Sequence, residues 1–166
     1  MILFNEGVSY SSRADLKAEE FITGSPDTLY ILPGKTVSDL SWDKRFAVPN
    51  EQYEVLISEQ NRQIHIKPWL YVYGGESGSV GIKVYRSAAG RDKTEARKKA
   101  EIMDYGYSLN GDTLRIDEYY SLPAGSGWSF NDLNVRVYAP EGTVVFIDEE
   151  LVVHNLPRYL NIHETG

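Results

Sequence analysis

The fold is indicated most clearly by residues 105–116, which read YGYSLNGDTLRI. Asn110-Gly111 suits a two-residue β-turn, because such a turn places its central residues at positive φ, which asparagine and glycine tolerate. The pairs predicted from this turn are Leu109 with Asp112, Tyr107 with Leu114, and Tyr105 with Ile116. The apolar residues of both arms then share one face, and a slip of one residue would turn that face outward. The sequence therefore predicts a β-hairpin here.

A short amphipathic helix is predicted just before the hairpin, near residues 93–103. Asp92 and Glu95 have the spacing of a capping box, in which side chains bind the first free amides of a helix. Ala96, Ala100 and Met103 recur at helical spacing and would form one apolar stripe. The basic residues that follow Ala96 lie toward the C-terminal end, where positive charge complements the helix dipole. We expect this to be the only substantial helix.

Most of the remaining chain shows the alternation of apolar and polar residues that is typical of half-buried strands. Strands are predicted at residues 28–32, 53–57, 64–66, 69–73, 80–85, 118–122, 133–137, 143–147, 151–153 and 159–162. Residues 14–21 are compatible with a helical turn, and residues 35–50 are interpreted as a loop or irregular edge. Turn residues separate the strands about every ten positions, the rhythm of a sandwich, barrel or solenoid. The predicted fold class is mainly β, with stacked antiparallel strands in a sandwich or a β-solenoid.

The composition fits one β-rich domain spanning residues 1–166. Twelve tyrosines favour strands, and the absence of cysteine excludes disulfides and thiolate metal sites. The net charge of −7 argues against nucleic acid as a partner, because its phosphates would repel this surface. No stretch approaches the roughly 20 apolar residues that cross a bilayer. A membrane could then be reached only through segments absent from this chain.

The sequence offers no recognised catalytic or cofactor motif. It lacks a G-x-S-x-G elbow, a phosphate-binding glycine loop and an H-E-x-x-H helix. The acidic runs Asp117-Glu118 and 148–150 are interpreted as charged strand ends, because adjacent strand residues point to opposite faces. We therefore predict no catalytic residue, no cofactor and no enzymatic activity.

Histidine spacing does not indicate a metal site. The three histidines are His65, His154 and His163. A site built from the last two with an acid of residues 148–150 would match no recognised ligand spacing. His65 lies between two isoleucines, so we expect it to point away from them into solvent.

Six aromatic residues are candidates for an interaction surface. They are Trp69, Tyr71, Tyr73, Tyr119, Tyr120 and Trp128. Aromatic residues are enriched at the centre of protein interfaces, and their rings can also stack on sugars. Packing inside a β core is the other interpretation of the same residues.

A longer segment resembles a known family. It comprises IKVYRSAAGR at 82–91, the helix at 94–103, the Tyr-Gly-Tyr before the hairpin, LRID at 114–117, Tyr119-Tyr120 and VRVYAPEGT at 135–143. In this order the elements resemble the soluble C-terminal region of phage shock protein C (PspC) domain proteins from Bacteroidetes. The resemblance implies a toast-rack or adhesin-like β fold, and it carries no active-site residues.

The resemblance also implies a cellular context. Such a region follows a PspC module and membrane helices, so the chain would be an excised and truncated segment of a membrane-anchored protein. It would lie in the cell envelope, attached to the inner membrane on its periplasmic side, and act as a non-enzymatic interaction or sensing module in the envelope stress response. Its partners would be other envelope proteins or its own membrane-embedded regions. The alternative is a carbohydrate- or surface-binding adhesin-like module.

Overall fold

The structure is a computed structural model that describes residues 12–40, 44–48, 53–58, 62–74, 78–126, 131–155 and 161–165, with only the backbone of 44–48, 53–54 and 161–165. The strands are β1 (Ser12–Thr23), β2 (Thr28–Pro33), β3 (Lys44–Val48), β4 (Tyr53–Ile57), β5 (Ile64–Ile66), β6 (Trp69–Gly74), β7 (Ser79–Gly90), β8 (Tyr107–Asn110), β9 (Thr113–Ile116), β10 (Tyr120–Leu122), β11 (Asp132–Ala139), β12 (Val144–Asp148), β13 (Val153–Asn155) and β14 (Asn161–Thr165). Helix α1 spans Lys93–Glu101, and a 3-10 turn spans Val37–Asp39.

The strands form three sheets. The first sheet has the order β1-β7-β11-β6-β13, the second β10-β5-β4-β3, and the third β14-β12-β2-β9-β8. The predicted mainly β fold with one helix is confirmed. Strand pairing is mixed, however, since β2 runs parallel to both β9 and β12, and β6 runs parallel to both β11 and β13. Parallel partners must be distant in sequence, because the chain has to cross back between them.

One apolar core is shared by all three sheets. Val72 and Val135 come from the first sheet, Ile66 from the second, and Ile31 and Leu114 from the third, and all five are fully buried. Burying a side chain of this size contributes about 1.5–3 kcal/mol. Because the apolar side chains of each strand lie on one face, this energy favours turning that face of each sheet inward.

The hairpin forms with a turn different from the predicted one. Its pairs are Tyr107 with Ile116, Ser108 with Arg115, Leu109 with Leu114, and Asn110 with Thr113. The central residues are thus Gly111, with a φ of 59°, and Asp112, which keeps a negative φ. Positive φ at only the first central position is the pattern of a type II′ turn, where glycine is preferred. The predicted pairs are wrong by two positions, but the apolar face is right, because a shift of two preserves the alternation.

Helix α1 begins as its capping residues predict. The Oδ1 atom of Asp92 accepts a hydrogen bond from the Glu95 amide at 2.8 Å. The Glu95 carboxylate in turn accepts from the Arg91 amide at 3.0 Å. All three residues of the predicted apolar stripe are buried. The predicted helix is confirmed, and it ends at Glu101.

Two segments differ from their predicted conformation. Residues 14–21 lie within β1, which pairs antiparallel with β7 over twelve residues, so a helical turn there is wrong. The pairing partner, rather than local preference, decides the conformation of this charged segment. Residues 35–50 contain the 3-10 turn and strand β3, which forms the edge of the second sheet beside β4.

Candidate functional site

The outer face of the first sheet carries a row of contacting rings, which we call the aromatic strip. Its members are Phe21, Tyr138, Tyr73, Tyr71, His154 and Trp69. Neighbouring ring centroids in this row lie between 4.5 and 6.2 Å apart. The strip therefore brings together three of the six aromatic residues proposed from the sequence and adds three that the sequence reasoning missed.

Strand register builds one end of the strip. Tyr73 lies opposite Tyr138, Tyr138 lies opposite Gly81, and Gly81 lies opposite Phe21. A side chain at Gly81 would collide with the Phe21 ring, which occupies the space left by the missing Cβ. Gly81 thus lets Phe21 lean across β7 and reach Tyr138, at 5.9 Å between centroids.

Three tyrosine rings of the strip lie nearly parallel to one another. The Tyr71 and Tyr73 rings stack at an interplanar angle of 17°, and the Tyr73 and Tyr138 rings at 28°. The Lys83 ammonium lies 5.2 Å from the centroid of Tyr138 and 5.7 Å from that of Phe21, within cation–π range. Tyr73 thus stacks on a tyrosine at either side, and Lys83 lies over Tyr138, whereas a sugar would need a ring face of its own to stack on.

The other end of the strip is held by side chains of β13, the short strand that pairs with β6. The Leu70 amide donates to Nδ1 of His154 at 3.1 Å. The Asn155 carboxamide accepts from the Val72 amide at 2.9 Å and donates to the Val72 carbonyl at 3.1 Å. These bonds hold the His154 ring against Trp69, with 4.5 Å between centroids. Burial lowers the pKa of His154 below its ordinary value, so the ring is neutral near pH 7.

Beside Trp69 and His154 lies a pocket of about 170 Å³, which we call the acidic pocket. Its polar lining includes Asp117, Glu118 and Glu150, and Tyr105 also lines it. Burial and the nearby carboxylates of Glu118 and Asp148 raise the pKa of Glu150. Three acidic residues from two distant parts of the chain thus line one pocket.

Two of these carboxylates also tie chain segments together. Asp117 accepts from the backbone amides of Lys35 and Gly106, each at 2.9 Å. Glu118 accepts from the Val37 amide at 2.7 Å and lies 3.6 Å from the Lys67 ammonium. Both residues follow the end of β9, so the strand rule that predicted opposite faces does not apply, and both line the acidic pocket.

Comparison with known proteins identifies the family of this chain. A family model described as "ToastRack found in some PspC" matches residues 51–163. The chain belongs to this family. The match includes the whole acidic pocket and every member of the aromatic strip except Phe21. No curated protein and no solved structure matches the chain.

The six aromatic residues proposed as an interaction surface do not all lie together in the toast-rack domain. Trp69, Tyr71 and Tyr73 are partly exposed in the aromatic strip. Tyr119 and Tyr120 are only 7% and 1% exposed and lie away from the strip. Trp128 lies outside the described residues. The interaction surface itself stays a prediction.

The prediction that His65 points into solvent is wrong. The side chain is 4% exposed, and its Nδ1 atom lies 2.7 Å from the Ser121 hydroxyl. The Tyr119 ring covers it edge-on, at 5.1 Å between centroids. Successive side chains of a strand point to opposite faces, but in this toast-rack domain both faces of β5 are covered by other residues. Burial accordingly lowers the pKa of His65.

The described residues were also searched for a metal site and for a membrane-spanning helix. Among the described residues, no group of three or more histidine, cysteine, aspartate or glutamate side chains could hold a metal ion. Within the same ranges, no helix has the length and apolar character needed to span a bilayer. His163 belongs to β14, where only the backbone is described.

Proposed function

We propose that this toast-rack domain is a non-enzymatic interaction or sensing module of an envelope-stress membrane protein, on the periplasmic side of the inner membrane. Membership in a family found in some PspC proteins supports the link to PspC. The toast rack is a structural fold, and the family match brings no catalytic motif. The partner would be another envelope protein or a membrane-embedded region of the same protein.

The aromatic strip is the observation that carries this proposal. Tyrosine and tryptophan dominate the binding energy of many protein interfaces, because they bury a large area and keep a polar tip. Phe21 is 45% exposed, which is unusual for so large an apolar side chain in isolation. Lys83 lies over the Phe21 and Tyr138 rings, and Arg136 lies opposite Tyr71, so both place positive charge beside the strip in an otherwise acidic domain. An aromatic surface with embedded cations suits a polypeptide partner that carries apolar and acidic side chains.

The alternative is a carbohydrate-binding, adhesin-like module. The same strip would then have to present ring faces to a sugar, whereas Tyr71, Tyr73 and Tyr138 stack on one another. We therefore favour the protein partner and treat glycan binding as an outcome of the test.

Site-directed photo-crosslinking in living cells tests the proposal. A photoreactive phenylalanine analogue replaces Tyr73 in the strip, and a control protein carries it at Glu141, an exposed turn residue. We expect a discrete crosslink to an envelope protein, or within the full-length chain, from position 73 but not from position 141. Equal crosslinking from both positions, or crosslinking to glycan alone, would contradict the proposed role.

The same cells test the location. Spheroplasts with an intact inner membrane are treated with trypsin, and the fragment that contains this domain is followed by immunoblot. We expect degradation without detergent, because a periplasmic domain is accessible to the protease. Protection until the membrane is dissolved would place the domain on the cytoplasmic side and overturn this part of the proposal.

A further inference from the structure

Two cations face each other across the first sheet, beside the aromatic strip. Lys83 of β7 lies directly opposite Arg136 of β11 in an antiparallel pair. Side chains in such positions have Cβ atoms about 5 Å apart, and like charges placed there are destabilising. The two side chains lean in opposite directions, since the Lys83 ammonium lies 5.2 Å from the Tyr138 ring centroid and the Arg136 guanidinium carbon lies 4.7 Å from the Tyr85 ring centroid. The fold alone would gain from an opposite charge at either position.

Within the ranges that the structure describes, no carboxylate forms an ion pair with either cation. Glu19 lies opposite Lys83 on β1, but its carboxylate pairs with the Lys17 ammonium at 3.6 Å. Asp132 lies on the same face of β11 and accepts a hydrogen bond from Asn134 at 3.3 Å. The aromatic rings attract the two cations, but rings carry no net charge and leave the positive charge in place. Both charges are therefore available to an anion from outside the domain.

The Arg136 guanidinium is held on one side and open on the other. The Tyr85 ring lies against the group, and the residue as a whole is partly exposed. Of its three nitrogens only Nε is buried without a hydrogen-bond partner, and none of the three donates to another described residue. The two terminal nitrogens are therefore accessible from outside, and so is the partly exposed Lys83. A guanidinium already held on a ring loses little freedom when an acceptor binds to it.

The charge of the domain and the neighbouring rings limit the ligand. A net charge of −7 repels a polyanion or an anionic lipid surface. A single carboxylate meets less repulsion, and its two oxygens match the fork of donors on a guanidinium. Phe21 is 45% exposed and lies beside Lys83, so it offers apolar surface next to the two charges. The ligand that fits is a carboxylate with an apolar group beside it.

We propose that Lys83 and Arg136 together bind a carboxylate side chain of a partner polypeptide, whose neighbouring apolar side chain packs on Phe21. The carboxylate bridges the two cations and removes their mutual repulsion. This inference rests on the proposed function, because it names the chemical group by which a partner is recognised beside the aromatic strip.

NMR titration of the purified 166-residue chain tests the chemistry outside the cell. The probe is N-acetyl-aspartyl-phenylalanine amide, whose only charge is one carboxylate, and the asparaginyl peptide of the same shape is its neutral control. We expect saturable amide shifts centred on β7 and β11 around positions 83 and 136. The neutral peptide should bind about fivefold more weakly, because hydrogen bonds to a charged acceptor are stronger than neutral ones. Equal binding of both peptides, or no saturable binding of the aspartyl peptide, would overturn the proposal.

Two variants locate the site. Lys83→Met and Arg136→Gln each remove one charge and keep most of the side-chain stem. We expect each to weaken binding of the aspartyl peptide about threefold and to leave binding of the asparaginyl peptide nearly unchanged. Lys98→Met, which removes an exposed charge on α1, is the matched control. Unchanged affinity for the aspartyl peptide in both variants would refute the assignment, and Lys83→Met decides alone if Arg136→Gln fails to fold.

The result is separable from that of the crosslinking experiment. Crosslinking from position 73 together with equal binding of the two peptides would retain the proposed function and overturn the carboxylate site. Preference for the aspartyl peptide without crosslinking would support the site and count against an envelope partner at the strip. Methyl glucuronide supplies a carboxylate on a sugar, and binding as tight as that of the aspartyl peptide would overturn the polypeptide assignment in favour of an acidic glycan.

Discussion

The two edges of the first sheet are closed in different ways. On one side β1 pairs with β7 in an unbroken antiparallel register from Ser12 opposite Gly90 to Thr23 opposite Ser79, and α1 packs against both strands. On the other side β13 has three residues, and its register with β6 shifts between Val153 and Asn155. At the first edge the backbone of β1 satisfies the hydrogen-bonding groups of β7. At the second edge side chains of β13 satisfy several of the hydrogen-bonding groups of β6.

This difference shows what each edge depends on. Backbone hydrogen bonds form with almost any side chain, so substitutions on the charged face of β1 should leave the edge closed. Strand β6, in contrast, has its Leu70 and Val72 amides bound by the side chains of His154 and Asn155. The bonds at this edge therefore depend on having histidine at 154 and asparagine at 155, and on the His154 ring being neutral.

The largest expected effect comes from a substitution that overpacks the contact between β7 and α1 at the first edge. A Cβ atom at Gly90 would lie 2.5 Å from the Ala96 amide nitrogen and 2.9 Å from its Cα. Because these are backbone atoms of α1, the helix itself would have to move. We expect Gly90→Ala to lower the free energy of unfolding by about 3 kcal/mol, measured by urea denaturation. Ser79→Ala, at the other end of β7, is the control, and a Gly90→Ala variant as stable as this control would show that α1 is loosely held.

A smaller loss is expected at the edge closed by side chains. Asn155→Ala removes two hydrogen bonds to Val72, each contributing about 1 kcal/mol, so the free energy of unfolding should fall by about 2 kcal/mol. Val152→Ala is the matched control, because Val152 is 57% exposed and close in sequence. If both variants unfold at the same urea concentration, the Asn155 bonds do not hold the edge.

The smallest effect is a dependence on pH. Burial lowers the pKa of His154 in the folded state below its ordinary value of 6.5, so the unfolded chain binds more protons as the pH falls through that value. Stability is thus complete above pH 6.5 and declines below it. A proton on Nδ1 would also end its acceptance of the Leu70 amide.

The variant His154→Gln measures this contribution. Urea denaturation at a series of pH values should show a shallower decline between pH 7.5 and 5.5, each about one unit from the ordinary histidine pKa, than in the wild type. Burial also lowers the pKa of His65, so a residual decline is expected in the variant. An unchanged slope would assign the whole pH dependence to other groups.

Local features were predictable from the sequence because their causes are local. The Asp92 and Glu95 side chains cap α1 through atoms within four positions, so spacing alone revealed the helix start. The hairpin face followed from alternation, which survives a shift of two residues. The turn itself did not follow, since Asn110-Gly111 and Gly111-Asp112 both offer a glycine at a central position.

The candidate sites depend on contacts that spacing does not encode. Phe21 reaches Tyr138 only because β1 and β11 flank Gly81, and no local pattern joins residues so far apart. The acidic pocket likewise combines Asp117, which follows β9, with Glu150, which follows β12, because β2 pairs with both of these strands in the third sheet. His65 shows the same limit, because alternation assigns a side chain to a face without revealing whether another layer covers that face.

The parallel pairing of the third sheet has a consequence for synthesis of the chain. Strand β2 lies between β9 and β12, and Thr28 is paired with Val144. Contacts between such distant residues form slowly, since a long loop must close first. While a ribosome is still making the later strands, β2 has neither neighbour, and its edges are open to association with other chains. The edges of β2 are therefore the part of the growing chain most open to aggregation until β9 and β12 have emerged.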